Sequence, residues 1–330
     1  MLAALLGRLK PSRAASAEVV RPGETLAGFV WRASGKHQFY AGLIAIAVAL
    51  LTFAPIDLQR RIVDEAIENK DVRTLLILGG LYLAIIATQG MLKYVLQLYQ
   101  GWVGESAVKG ARDQLAAIAA KRPSRDEATS GQTVNVIGRE IDNVGGFVGT
   151  SISEFVVNST IMIAIAGYMI YIQPVIALVS AVFLLPQVLL ARYMQADLNL
   201  LVERQVGLVR RLGDETMERA RGKSKGGKRK SRTIPAIFRN RMKFYFLKYG
   251  LKTLLSVANA MGPLVVLIVG GYLVIQGQTT IGIVVAFVSG FERISSPLHD
   301  LLNFYREYQQ AKVQLQMIVD WAEGEVKSRA

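Results

Sequence analysis

Apolar residues in this chain gather in blocks of about 20, the length that crosses a hydrocarbon core as a helix. Six such blocks stand out, at about residues 39–58, 74–98, 145–172, 175–194, 253–275 and 280–300. The connections between them alternate. Arg60–Arg73, Gln173-Pro174 and Gln276–Thr279 are short. The segments after the second and fourth blocks are each roughly 45–55 residues and keep helical periodicity, which predicts helices running on out of the bilayer as arms of about 30 Å. The first arm keeps its stripe through Ala107, Leu115, Ile118 and Ala119, turns at Pro123–Gly131, and returns over Val134–Val144 with Arg139, Glu140 and Asp142 on wet faces. The second arm carries Leu198, Leu201, Val202, Leu208, Val209 and Leu212. The sixth block continues through Leu301, Tyr305, Tyr308, Ala311, Leu315 and Ile318 to Trp321. Pro55 is expected to kink or close the first span. Thr25–Gln38 reads as a short amphipathic helix in the membrane interface, anchored by Trp31.

Composition agrees. The 330 residues are 52% hydrophobic and 19% charged, with mean hydropathy +0.32, against about a quarter charged in a soluble domain. The chain is therefore read as an all-α membrane protein of six transmembrane helices with long cytosolic helical extensions. Zero Cys excludes disulfides, thiolate metal sites and a Cys nucleophile, and with only His37 and His299 a His-based metal cluster is not expected. No carboxylate pair or Ser/His/Asp pattern suggests catalysis. The net charge of +14 lies mainly on the long connections, so the positive-inside rule places the arms and both termini in the cytosol. The charge is thus topological, and nucleic acid is not expected as a partner.

The densest charge run is Arg219–Arg232, which contains a near phosphate-binding loop: Gly222 to Gly227 and Lys228 fit G-x-x-x-x-G-K. It fails on three counts. Glu215–Arg221 replaces the required buried strand, Arg229 stands where Ser or Thr would hold magnesium, and Lys230, Ser231 and Arg232 follow instead of an apolar helix. Polar residues also recur at helical spacing inside the spans: Gln89, Lys93 and Gln97; Ser151, Glu154 and Asn158; and Ser289, Glu292 or Arg293, Ser296, His299 or Asp300, and Asn303. Charge at membrane depth is costly unless it pairs or faces water, so a hydrophilic path would account for these stripes; interhelical hydrogen bonding would account for them as well.

The order of these features resembles the type 1 transmembrane domain of ATP-binding cassette exporters. Pro123, Gly131 and the run Val136–Val144 look like the segment before that family's third helix. Gln278–Phe287, then Pro297 and Leu298, look like its entry to helix six, and Ala311–Trp321 looks like the stretch before its nucleotide-binding domain. The resemblance covers residues 25–320, with a basic tail at 1–24 and a C-terminal tail at 321–330. It departs at two points: no nucleotide-binding domain follows, and Glu218–Gly227 is more basic and richer in glycine than the family's second cytosolic turn.

The resemblance implies a permease subunit of a multi-pass plasma (bacterial inner) membrane transporter. Its partners would be an ABC-type ATPase subunit, a second copy or paralogue of itself, and membrane lipids. ATP and magnesium would sit on the partner, with no cofactor in this chain. Coupling contacts would lie at the two arm tips: Arg122, Pro123, Asp126 and Gly131, then Glu218, Arg221, Gly222, Lys223, Gly226 and Lys228. The translocation path would take Gln89, Lys93, Gln97, Glu154, Asn158, Glu292, Arg293, Ser296 and His299. The other reading is a regulatory or scaffold membrane protein on the same fold, its basic loop bound to anionic lipid or an acidic partner.

Overall fold

The computed structural model describes residues 23–120, 136–220 and 233–327, with 11 and 21. The described residues form no strand. In order the helices are α1 (Leu26–Ser34), α2 (His37–Arg61, continued by a π-helical turn at Ile62–Ile67), α3 (Val72–Ala120), α4 (Ile141–Ile172, preceded by a π turn at Val136–Glu140), α5 (Pro174–Ala220), α6 (Thr233–Ile275) and α7 (Ile281–Lys327). Among the described residues, five segments are long and apolar enough to cross a membrane, in α2, α3, α4, α6 and α7. The fourth expected span falls in α5, whose described apolar part is Pro174–Phe183. The chain divides into two compact units, Met1–Tyr168 with Ser296–Ala330, and Met169–Ser295.

The arms are continuous with the spans. The 49 residues of α3 make a rod of about 74 Å, more than twice the bilayer's hydrocarbon thickness. Pro55 does not close α2: the helix continues to Ile67, and the expected polar loop shrinks to the turn before Val72. Two devices make that turn tight. The Asp71 amide donates to the Ala66 carbonyl (2.9 Å) and the Lys70 amide to that of Ile67 (3.1 Å), with Lys70 left-handed at φ 55°. Asp71 then caps α3, its carboxylate accepting from the Arg73 and Thr74 amides at 2.9 and 3.2 Å and from the Thr74 hydroxyl at 2.6 Å. These donors, the Thr74 hydroxyl above all, hold the carboxyl below its usual range. The same carbonyl-capping geometry ends α6, where Gly277 takes φ 69° and the Gln278 amide reaches the Leu273 carbonyl at 2.9 Å.

In the first unit a shared core joins α1, the distal half of α3, the start of α4 and the end of α7. Phe29, Ala107, Leu115, Ile141, Val148, Leu315 and Ile318 are at its centre. The apolar face of α1 therefore turns to protein; of its large residues only Trp31 is turned out, 61% exposed. Glu140 differs from the expected wet position. It lies four residues before Val144 and eight before Val148, on the buried face, and is 7% exposed, while Arg139 and Asp142 do face outward. Backbone meets backbone where α3 crosses α4. A Cβ added at Gly149 would lie 2.3 Å from the Gln100 carbonyl oxygen, and one at Gly104 would lie 2.9 Å from that of Gly145. Only glycine permits that approach. A buried amide fixes the crossing, Gln100 Nε2 donating to Ser153 Oγ at 2.8 Å, and a second ties α2 to α4, Gln38 Nε2 donating to the Val148 carbonyl at 2.5 Å.

In the second unit α5 and α6 pair along their length. Asn240 is buried there and donates to the Leu201 carbonyl at 2.9 Å and to Gln205 Oε1 at 3.0 Å. Gly262 admits the ring of Phe291, and Gly270 admits Val284.

Candidate functional site

Between α4 and α7 of the first unit lies a cavity of about 470 Å³. Its α4 wall repeats every fourth residue, Asp142, Gly146, Thr150 and Glu154, so these share one helical face; Asn143 and Phe147 adjoin it. Its α7 wall is Glu307, Gln310, Ala311 and Gln314, again at helical spacing. Three carboxylates and three amides thus point into one space, and no basic side chain is among the lining residues. Gly146 leaves room: a Cβ there would meet nothing within 4 Å.

The cavity is backed by rings. Phe147 stacks on Phe304 with centroids 5.8 Å apart, and lies edge-on to Tyr308 at 6.0 Å; Phe155 meets Phe304 at 5.7 Å. At one end Arg112 of α3 pairs with Asp142 at 2.6 Å and also donates to the Gly138 carbonyl at 3.3 Å. Both partners are well exposed, so this pair contributes little to stability, about 0–1 kcal/mol. It does offset one of the three carboxylates. Glu154 and Glu307 remain to confer a negative potential on the space between the helices, which favours polar or positively charged guests over anions.

Of the residues expected on a path, Glu154 lines this cavity. Asn158, one turn further, is buried and donates back to the Glu154 backbone carbonyl at 3.0 Å. Gln89 ties α3 to α2 by donating to Thr52 Oγ1 at 2.8 Å. Lys93 and Gln97 are exposed on α3. On α7, Glu292, Ser296 and His299 are exposed, Arg293 is half-buried, and the Ser296 hydroxyl donates to Asp300 at 3.3 Å. Of the third stripe Asp300 lies near enough to Glu154 to act on it electrostatically, so the second and third stripes approach one another there. Asp142, Asn143, Thr150, Glu307, Gln310 and Gln314 were not singled out from sequence as path residues. Their signal was present in the fourfold spacing 142, 146, 150, 154 and in the matching run 307, 310, 314 of α7.

The expected coupling residues Arg122, Pro123, Asp126, Gly131, Arg221, Gly222, Lys223, Gly226 and Lys228 lie outside the described residues. Of Glu218 only the backbone is described, in the last turn of α5. No cluster of three or more His, Asp or Glu side chains suited to a metal ion occurs among the described residues.

A second polar knot ties α2 to α4. Asp57 Oδ1 accepts from the Tyr168 hydroxyl at 2.7 Å and from Arg60 at 3.0 Å, while Oδ2 accepts from Arg61 at 2.7 Å. Phe53 packs edge-on to the Tyr168 ring at 4.8 Å.

Residues 39–209, from α2 through most of α5, match the family model of the ABC transporter transmembrane region. No curated protein matches the chain.

Proposed function

The chain belongs to the ABC transporter transmembrane family, and from that premise we propose that it is the permease subunit of an exporter-type ABC transporter. The observation that supports this reading is the continuity of its helices. α3, α5, α6 and α7 run 49, 47, 43 and 47 residues without a break, where about 20 would cross a membrane. Rods of that length suit a protein that must carry motion from a soluble motor to a path in the bilayer.

In this reading the arm tips, Arg122–Gly131 and Glu218–Lys228, seat on an ATPase subunit that binds ATP and magnesium. This chain hydrolyses nothing. A second copy or a paralogue completes the path, and the basic arms and both termini face the cytosol of a bacterial inner membrane. The cavity between α4 and α7 forms part of the path, with Glu154 and Glu307 presenting carboxylates to the cargo and Phe147 and Phe304 an apolar wall.

The test is purification of the tagged full chain from its native membranes. An ABC-type ATPase is expected to co-purify, and its hydrolysis is expected to rise in the complex. Replacing Gly222–Gly227 with a polar linker should abolish that stimulation. Repeated purification without an ATPase, or stimulation indifferent to the linker, would overturn the coupling assignment; a linker effect on lipid binding alone would favour the scaffold reading.

A further inference from the structure

From Arg219 to Phe291 the chain contains no acidic residue. Within that run, the part of α6 before its apolar span carries a ladder of cations and rings, in which Arg241, Lys248, Tyr249 and Lys252 are exposed and Phe244 and Tyr245 half-buried. Arg241, Phe244, Tyr245, Lys248, Tyr249 and Lys252 fall at i, i+3, i+4, i+7, i+8 and i+11, one helical face. The face borders the α5 contact at Phe244, one turn beyond Asn240, and turns from it toward Tyr249. The ladder is ordered from within. Tyr245 and Tyr249 stack with centroids 5.8 Å apart and planes 12° apart. Arg241 lies 5.6 Å from the Tyr245 centroid, and Lys248 lies 5.8 Å from that of Phe244 and 6.0 Å from that of Tyr249.

We propose that Lys248, Tyr249 and Lys252 form a binding site for the headgroups of anionic phospholipids. The depth of the helix selects these three. Counting about 20 residues back from Ile275 puts the hydrocarbon edge near residue 256. Lys252 and Lys248 then lie about 6 and 12 Å outside it along the axis, and Arg241 about 22 Å outside. Lysine stems reach back toward the phosphates, while the Tyr249 ring, 55% exposed, fits the boundary between acyl chains and headgroups. The acid-free sequence of α6 supplies the charge complementarity, since no carboxylate on that helix competes for the cations. The site goes beyond the transport reading and depends only on α6 entering a bilayer.

The full chain, purified in detergent, is titrated with phosphatidylglycerol or phosphatidylcholine, and the lipids retained are counted by native mass spectrometry. The wild type is expected to prefer phosphatidylglycerol. One lysine near an anionic surface is worth about fivefold in affinity, so K248Q/K252Q should weaken phosphatidylglycerol retention roughly 25-fold. R241Q, beyond headgroup reach, should leave it unchanged. Equal retention of both lipids by the wild type, an inert double variant, or an equal loss in R241Q would each overturn the site. A benzophenone side chain at position 249, photolysed in phosphatidylglycerol vesicles, should add a lipid mass; an adduct to a second copy of the chain would show that protein covers this face.

Discussion

The glycine contact between α3 and α4 makes a sharp test, because neighbouring glycines on one helix should respond in opposite ways. A Cβ at Gly149 would meet three backbone atoms: the Gln100 oxygen at 2.3 Å, the Gly104 nitrogen at 3.1 Å and the Gln100 carbonyl carbon at 3.2 Å. None can rotate aside. Restoring ordinary contact needs the helices to part by about 1 Å, a gap that forfeits a quarter to a half of each dispersion contact it opens. Overpacking of that kind costs about 1–3 kcal/mol. The Gln100–Ser153 hydrogen bond, buried at this crossing, adds about 1 kcal/mol if it stretches beyond reach. Gly149→Ala should therefore cost about 2–4 kcal/mol and lower the thermal midpoint of the detergent-purified chain by roughly 5 °C or more. At Gly145 the obstacle is a side chain, Val108 Cγ2 at 2.1 Å, with the Gly104 oxygen at a tolerable 3.3 Å. Gly145→Ala should thus be rescued in large part by Val108→Ala, which should do nothing for Gly149→Ala. Gly146→Ala meets no atom and gains up to about 1 kcal/mol of helix propensity, so its midpoint should hold or rise. Equal midpoints for Gly149→Ala and the wild type, or a fall in Gly146→Ala as large, would refute the close crossing.

Other outcomes follow from single contacts. Lys70→Gly should stabilise by about 0.5–1 kcal/mol, since relief of the left-handed strain outweighs glycine's larger chain entropy; thermal melts decide. Asp71→Ala should lower the midpoint at pH 7. Because the folded carboxyl titrates below its usual range, its contribution is present above the unfolded pKa and fades as pH falls through the depressed value, so wild type and variant should converge in acid. Tyr168→Phe removes one of the donors to Asp57 and should cost about 1 kcal/mol, read in the same melts. Glu154→Gln should leave the midpoint within about 1 °C of the wild type while reducing export in vesicles loaded with a cationic cargo; unchanged export would remove Glu154 from the path.

The helices were legible because a stripe of period 3.6 continues from span to arm: Ala107 and Leu115 in α3, and Ala311, Leu315 and Ile318 in α7, all sit in the core. Periodicity reports which residues share a face, but not what that face meets. Gln89 and Lys93 share a face in sequence; one bonds to α2 and the other is exposed. The cavity was hidden for the same reason. Its α7 wall, Glu307 to Gln314, lies beyond the expected span and reads as an ordinary wet arm until α4 is seen opposite it. Glu140 was misplaced because its charge outweighed its register with Val144. The loop at Arg60–Arg73 was overestimated because Pro55 usually ends a helix, whereas here the helix runs on through it and its end is fixed at Lys70 and Asp71.

The crossing at Gly104 also sets a mechanical ratio. It divides α3 into about 48 Å on the Val72 side and about 24 Å on the Ala120 side. A rigid rod turning about that contact is a lever with unequal arms. A displacement of about 1 Å imposed at the Ala120 end becomes about 2 Å at the Val72 end, in the opposite direction, with no joint between to absorb it.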